Sequence, residues 1–185
     1  MSSEQHLEQL RQDFERTTNR AVSLPISGAI VWTVVGIASL FLNQYYATLF
    51  LLFATGAIFP MALGIAKLRK ENITSSVNPL SKLMALGVLM VNLLWAVHVP
   101  LMMKAPQFVP LSVGIGLGLH WIVYSWIVQH PVGIIHAIMR TVLCVLVWLF
   151  VPVNTLTFIA IAVVVSYAVS IYFMLSRDIT GLDDH

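Results

Sequence analysis

From Leu24 to Leu175 the chain is a succession of six apolar runs, and four of the five links between them are only two to four residues long. Crossing the hydrocarbon core of a bilayer takes about 20 residues of helix. Each run approaches or exceeds that length: Leu24–Leu42, Tyr45–Ala66, Pro79–Met103, Phe108–Val128, Pro131–Val151 and Thr155–Leu175. The links Asn43-Gln44, Lys104–Gln107, Gln129-His130 and Pro152–Asn154 leave no room for a soluble domain, so neighbouring runs must pair as antiparallel hairpins. The predicted fold is therefore all-α: a polytopic membrane protein, a compact bundle of six transmembrane helices with a short N-terminal amphipathic helix. The expected organisation is a cytoplasmic amphipathic segment over 1–22, the six-span domain over 23–176 and a cytoplasmic tail over 177–185.

Composition excludes a water-soluble globule. Only 10% of the 185 residues are charged and 58% are hydrophobic, against about a quarter charged in soluble domains. The eight acids are Glu4, Glu8, Asp13, Glu15, Glu71, Asp178, Asp183 and Asp184; all lie in the tails or in one loop, so the apolar body carries no carboxylate. A net charge of +2, scattered along the chain, gives no basic footprint for nucleic acid. Cys144 is the single cysteine, which rules out an intramolecular disulfide and reads as a small buried hydrophobe.

No cleavable signal is legible, because the first twenty residues are polar and the first apolar run is followed directly by another. Within that polar stretch Leu7, Leu10 and Phe14 recur at helical spacing, and Ser2 with Gln5 has the pattern of a capping box. A helix lying on the membrane or packed against the bundle is expected; a frayed solvated tail is the alternative. Arg11, Arg16, Arg20, Lys67, Arg69, Lys70, Lys82 and Arg177 flank one side of the runs and only Lys104 the other. By the positive-inside rule both termini are cytoplasmic, and the small size suggests a bacterial inner-membrane protein.

Against this background Arg140, half-way along the fifth run, is conspicuous. Arginine keeps its charge in any protein environment, and an unpaired cation near the bilayer centre costs about 3 kcal/mol on insertion scales. His136, Arg140, Cys144 and Trp148 recur every four residues and share one helix face, which should point into the bundle or a wet cavity. Asn92, His120, Trp32, Thr33, Thr55, Ser166 and Tyr167 fall at similar depth in their own runs. Tyr124 follows His120 at four-residue spacing, after Gly114, Gly116 and Gly118, which suit close packing or a pliable stretch of helix. Pro60, between Gly56 and Gly64, marks the expected kink and hinge.

The expected substrate-binding set is therefore Arg140, His136, His120, Tyr124 and Asn92. The structural reading of the same residues is interhelical glue, with Arg140 bonded to backbone carbonyls, Tyr124 or Asn92, or snorkelling to the cytoplasmic surface. Metal and haem are disfavoured: of His98, His120, His130 and His136 only His120 and His136 lie close enough in depth to meet, and no third ligand accompanies them. No phosphate-binding loop, dinucleotide fingerprint, zinc-protease motif or nucleophile elbow occurs, so a hydrolase is disfavoured and no cofactor is expected. The run starts Leu24-Pro25-Ile26-Ser27, Asn78-Pro79-Leu80-Ser81 and Val109-Pro110-Leu111-Ser112 look alike. They hint at two inverted three-span halves, although proline commonly opens any helix.

These readings lead to a small transporter or permease that binds a polar or anionic small molecule near the midplane, self-associating as a homo-oligomer in the lipid bilayer. The alternative is a membrane scaffold or accessory subunit whose polar layer only holds helices together.

Overall fold

The computed structural model describes residues 2–75 and 77–177; the tail 178–185 lies outside them. The chain begins with α1 (Ser3–Thr18), closed at its start by the reciprocal capping box of Ser2 and Gln5. Its apolar face docks: Phe14 is buried, and Leu7 and Leu10 pack against the core. This helix therefore lies against the bundle and is not a solvated tail.

Asn19, Arg20 and Ala21 then adopt successive positive φ values of 44°, 67° and 51°. Left-handed backbone of this kind costs of order 1–3 kcal/mol per non-glycine residue and persists only where surrounding contacts hold it. Here Arg20 is fixed at both ends: its Nη2 donates to the Arg177 carbonyl at 2.8 Å and its own carbonyl accepts from the Tyr124 hydroxyl at 3.2 Å.

The six apolar runs follow as helices of unequal continuity. The first is α2 (Ser23–Ala38) and the second is a pair, α3 (Gln44–Gly56) and α4 (Ile58–Arg69), bent by 42°. The bend falls at Ala57, three residues before Pro60, where the missing proline amide leaves the Gly56 carbonyl without its helical donor. Ser27 of α2 supports the bend, donating to the Ile58 carbonyl at 2.6 Å. The third run comprises α5 (Pro79–Leu93) and α6 (Trp95–Lys104), and the fourth α7 (Val109–Gly116) and α8 (Trp121–Val128). Like the first, the last two runs are single helices, α9 (Val132–Phe150) and α10 (Thr155–Ser176). Five stretches, with α1 and α2 counted as one, are long and apolar enough to cross a membrane, and six when the bent α3–α4 pair counts as one span. The protein is a multi-pass helical membrane protein.

The centre of the bundle is α10, which packs on α2, α9 and α7, while α8 leans on α9 and α4 on α2. The turn between α8 and α9 is clasped by Ser125, whose Oγ accepts from the amides of Gly133 and Ile134 at 2.8 and 2.9 Å and donates to the His130 carbonyl. His130 itself accepts from the Val132 amide through Nδ1, and partial burial together with Arg177 lowers its pKa, which keeps that nitrogen free to accept. No side chain larger than glycine fits at 133, since a Cβ there would overlap the Trp121 carbonyl. By contrast α5 and α6 are peripheral: α5 rests on α1 and α8, and Leu86, Leu89, Met90 and Leu93 are exposed, as befits a lipid-facing surface.

Candidate functional site

The site is built on α9, which carries the only charge buried at bilayer depth among the described residues. Four-residue spacing puts His136, Arg140 and Cys144 on the face turned inward, and all three are fully enclosed. The opposing surface comes from the broken fourth run. Where a continuous helix would bond the Gly118 amide to the Gly114 carbonyl, that amide turns to Ile115 instead, at 2.9 Å. The run of tight turns through His120 leaves the Gly114 carbonyl free, and Arg140 Nε donates to it. Gly118 makes room for the same side chain, because a Cβ there would sit 2.9 Å from Arg140 Cδ. The glycine run thus provides both an acceptor and a groove for the arginine.

Aromatic rings complete the enclosure. The guanidinium carbon of Arg140 lies 5.4 Å from the Trp32 ring centroid and 5.2 Å from that of Tyr167, within cation–π range. His136 stacks on Trp121 with centroids 4.1 Å apart and planes at 18°, and its ring is 5.0 Å from Tyr167. Tyr167 therefore touches both the cation and the histidine. His136 Nδ1 is 2.8 Å from Ser170 Oγ. The Ser170 hydroxyl already donates to the Ser166 carbonyl, so Nδ1 carries the proton and Nε2 is left as an acceptor.

Several nitrogens of these side chains are poorly provided for. Both terminal nitrogens of Arg140, Trp32 Nε1 and His136 Nε2 are sealed from solvent and have no hydrogen-bond partner among the described residues. Buried polar groups are normally paired, and each exception calls for an explanation. A charged group left with one carbonyl and two ring faces is the costliest exception of the set.

On the side where α1 lies, a cavity of about 410 Å³ runs inward and ends at His120, Trp121 and Tyr124. Arg140 does not line it. His120 and Trp121 line it where the broken fourth run resumes as α8, and Trp121 also stacks on His136, one turn from Arg140.

The five residues singled out by sequence do not all meet here. Arg140 and His136 do, with His120 at the edge. Tyr124 lies lower on α8, where its hydroxyl donates to the Arg20 carbonyl and receives Arg177 Nη1 at 3.4 Å. Asn92 is exposed on α5 and bonds back to the Val88 carbonyl of its own helix at 3.0 Å. Thr33 and Thr55 likewise bond their own helices. Pro60 is exposed on α4, beyond the bend. Trp121 and the Gly114 carbonyl had no distinguishing signal in the sequence, whereas Trp32, Ser166 and Tyr167 shared the depth of Arg140. Of the histidines, His120 and His136 both lie against Trp121, whereas His98 pairs with Ser112 at 3.0 Å, and no group of three metal-ligating side chains forms among the described residues.

Residues 7–177 match a family described as a family of unknown function, DUF7010. No curated protein and no solved structure gives a significant match.

Proposed function

Because the chain belongs to the DUF7010 family, which brings no activity with it, we propose its function from the site alone: it binds a small oxyanion or similarly polar molecule inside the bundle, against Arg140, and passes it across the membrane. The observation that carries this reading is the set of sealed, partnerless nitrogens around Arg140 in a transmembrane region without a carboxylate. The guanidinium and the Trp32 indole offer donors, and His136 Nε2 offers an acceptor. A hydrogen-bearing oxyanion such as bicarbonate or dihydrogen phosphate, or formate with a water, supplies the complementary set and the missing negative charge. His120 and Trp121 line the cavity, and Trp121 also stacks on His136 of this nest, so a rearrangement of the tightly turned 117–120 segment gives access.

A second reading is favoured by a specific observation: the Gly114 carbonyl and the rings of Trp32 and Tyr167 already hold Arg140 in place. In that case the arginine fastens α9 to α2, α7 and α10, and the protein is a scaffold. The two readings separate in vesicles containing the purified protein, with uptake of labelled formate, bicarbonate and phosphate measured for wild type and Arg140→Gln. The expected result is saturable uptake of at least one of these anions, lost in the variant although it folds. Unchanged uptake, or none with the wild type, refutes the transport reading.

A further inference from the structure

The cavity beside α1 has a chemistry of its own that the Arg140 nest does not explain. Its walls are apolar: Leu24 and Pro25 from α2, Phe59 from α4, and Met84, Ala85 and Val88 from α5. Its mouth is polar and basic, formed by Thr74 and Ser75 of the α4–α5 link with Ser81 and Lys82 from the first turn of α5. No carboxylate lines any part of it. A volume of about 410 Å³ lies within the range of roughly 300–1,000 Å³ usual for small-molecule sites.

The position of α5 decides where such a ligand comes from. That helix rests on α1 and α8, and the wall facing it is built from α2 and α4. Phe59 and Val88, on opposite sides of the cavity, are 50% and 39% exposed, so the gap between the second and third spans faces the bilayer. His120, Trp121 and Tyr124 also line it, on the side of α8.

We infer that this cavity is a binding site for a single-chain anionic amphiphile drawn laterally from the leaflet on the α1 side. The chain lies between α2, α4 and α5, and the anionic head rests at Lys82 with the hydroxyls of Ser81, Ser75 and Thr74. Charge complementarity fixes the head: a lysine at the mouth of a site lined by no acid selects an anion. The apolar walls and the lateral gap fix the source, because a free inorganic anion has no use for either. The inference stands apart from the Arg140 reading, since none of the groups that hold the amphiphile belongs to that nest.

The test uses the full chain in neutral phosphatidylcholine vesicles, titrated with dibromostearate and, separately, with its uncharged methyl ester; bromine quenches tryptophan fluorescence at close range. The expected result is a saturable quenching component for the acid alone, absent in Trp121→Phe because Trp121 is the reporter. Lys82→Gln should weaken it about fivefold, the effect of removing roughly 1 kcal/mol of attraction between one surface lysine and an anionic head. Ala85→Phe, which fills the cavity, should abolish it, and Arg140→Gln should leave it intact. Lys82 and Ala85 are both exposed on α5, so these variants are expected to fold.

Quenching that rises in proportion to membrane-bound bromolipid, alike for acid and ester and indifferent to Lys82→Gln and Ala85→Phe, overturns the inference. Displacement of the acid by acetate or inorganic phosphate overturns it too, by showing a site for soluble anions. The Arg140→Gln arm keeps a failure here distinct from a failure of the transport reading.

Discussion

Arg177 and Arg140 are both withdrawn from solvent, yet the bundle meets their charges in opposite ways. Arg177, at the end of α10, lies 2.7 Å from Glu15 of α1, with side chains 11% and 7% exposed. Its backbone carbonyl and its guanidinium are also engaged by Arg20 and Tyr124. The result is a closed set of contacts in which α1, the left-handed turn, α8 and α10 hold one another. Arg140 has no carboxylate, one carbonyl and two aromatic faces, and its terminal nitrogens lack partners. A buried arginine that serves only architecture is given its counter-charge from within the fold. Arg140 is denied one from within the fold, and on the proposed function its counter-charge comes from outside.

The largest stability effect is expected where the counter-charge is already present. Glu15→Gln leaves the Arg177 guanidinium buried without its anion, and breaking a buried pair from one side costs about 3 kcal/mol or more. The contact approaches as an ion pair without the geometry of a linear hydrogen bond, which favours the lower end. Thermal unfolding in detergent should show a marked fall in midpoint, and α1 should become open to limited proteolysis. A midpoint within experimental scatter of wild type would remove the contrast between the two arginines.

The same comparison shows what could be read in the sequence. Six apolar runs, the docking face of α1 and its capping box were legible because each depends on local spacing. The shared face of His136 and Arg140 was legible for the same reason. Depth along a span was also readable, and it placed Trp32, Ser166 and Tyr167 at the level of Arg140. Depth is only one coordinate, however. Asn92 has the right depth but sits on the outward side of α5, a peripheral helix, and rotation about a helix axis is set by packing that no single run encodes. Tyr124 keeps its helical spacing from His120, its amide bonded to the His120 carbonyl, and both line the cavity beside α1, but the tyrosine hydroxyl turns to Arg20. The Gly114 carbonyl became an acceptor only because that break redirected the Gly118 amide, a consequence of folding and not of composition.

A smaller effect sharpens the account of the α1 side. Asn78 caps α5 by accepting from the Leu80 amide at 2.8 Å, and its side-chain amide donates to the Leu10 carbonyl and to Asp13 at 2.8 and 2.7 Å. Asn78→Ala removes a helix cap worth about 1 kcal/mol and unties α1 from α5. The expected loss is about 1–2 kcal/mol, with faster proteolysis of α1 but an intact Glu15–Arg177 pair. If Asn78→Ala destabilised the protein as much as Glu15→Gln, the Asn78 contacts would hold α1 as firmly as the ion pair does.

The smallest stability effect belongs to the most conspicuous residue. Arg140→Met replaces an uncompensated buried cation with an unbranched apolar chain of similar length, and exchanges of this kind in buried ionic sites are often neutral or stabilising. The substitution forfeits the bond to Gly114 and the contacts with Trp32 and Tyr167, and it also removes the desolvation of two partnerless nitrogens. These opposing contributions should leave the unfolding midpoint of the ligand-free protein unchanged to within about 1 kcal/mol, or raise it. Anion-dependent stabilisation should vanish at the same time, since a ligand at a hundred times its Kd adds about 2.7 kcal/mol only while its site exists. A scaffold arginine gives the reverse pattern, a clear fall in midpoint with no anion response to lose. Measuring the midpoint of both forms, with and without formate, bicarbonate or phosphate, therefore decides whether the missing counter-charge of Arg140 is a feature of the site or merely a cost of the fold.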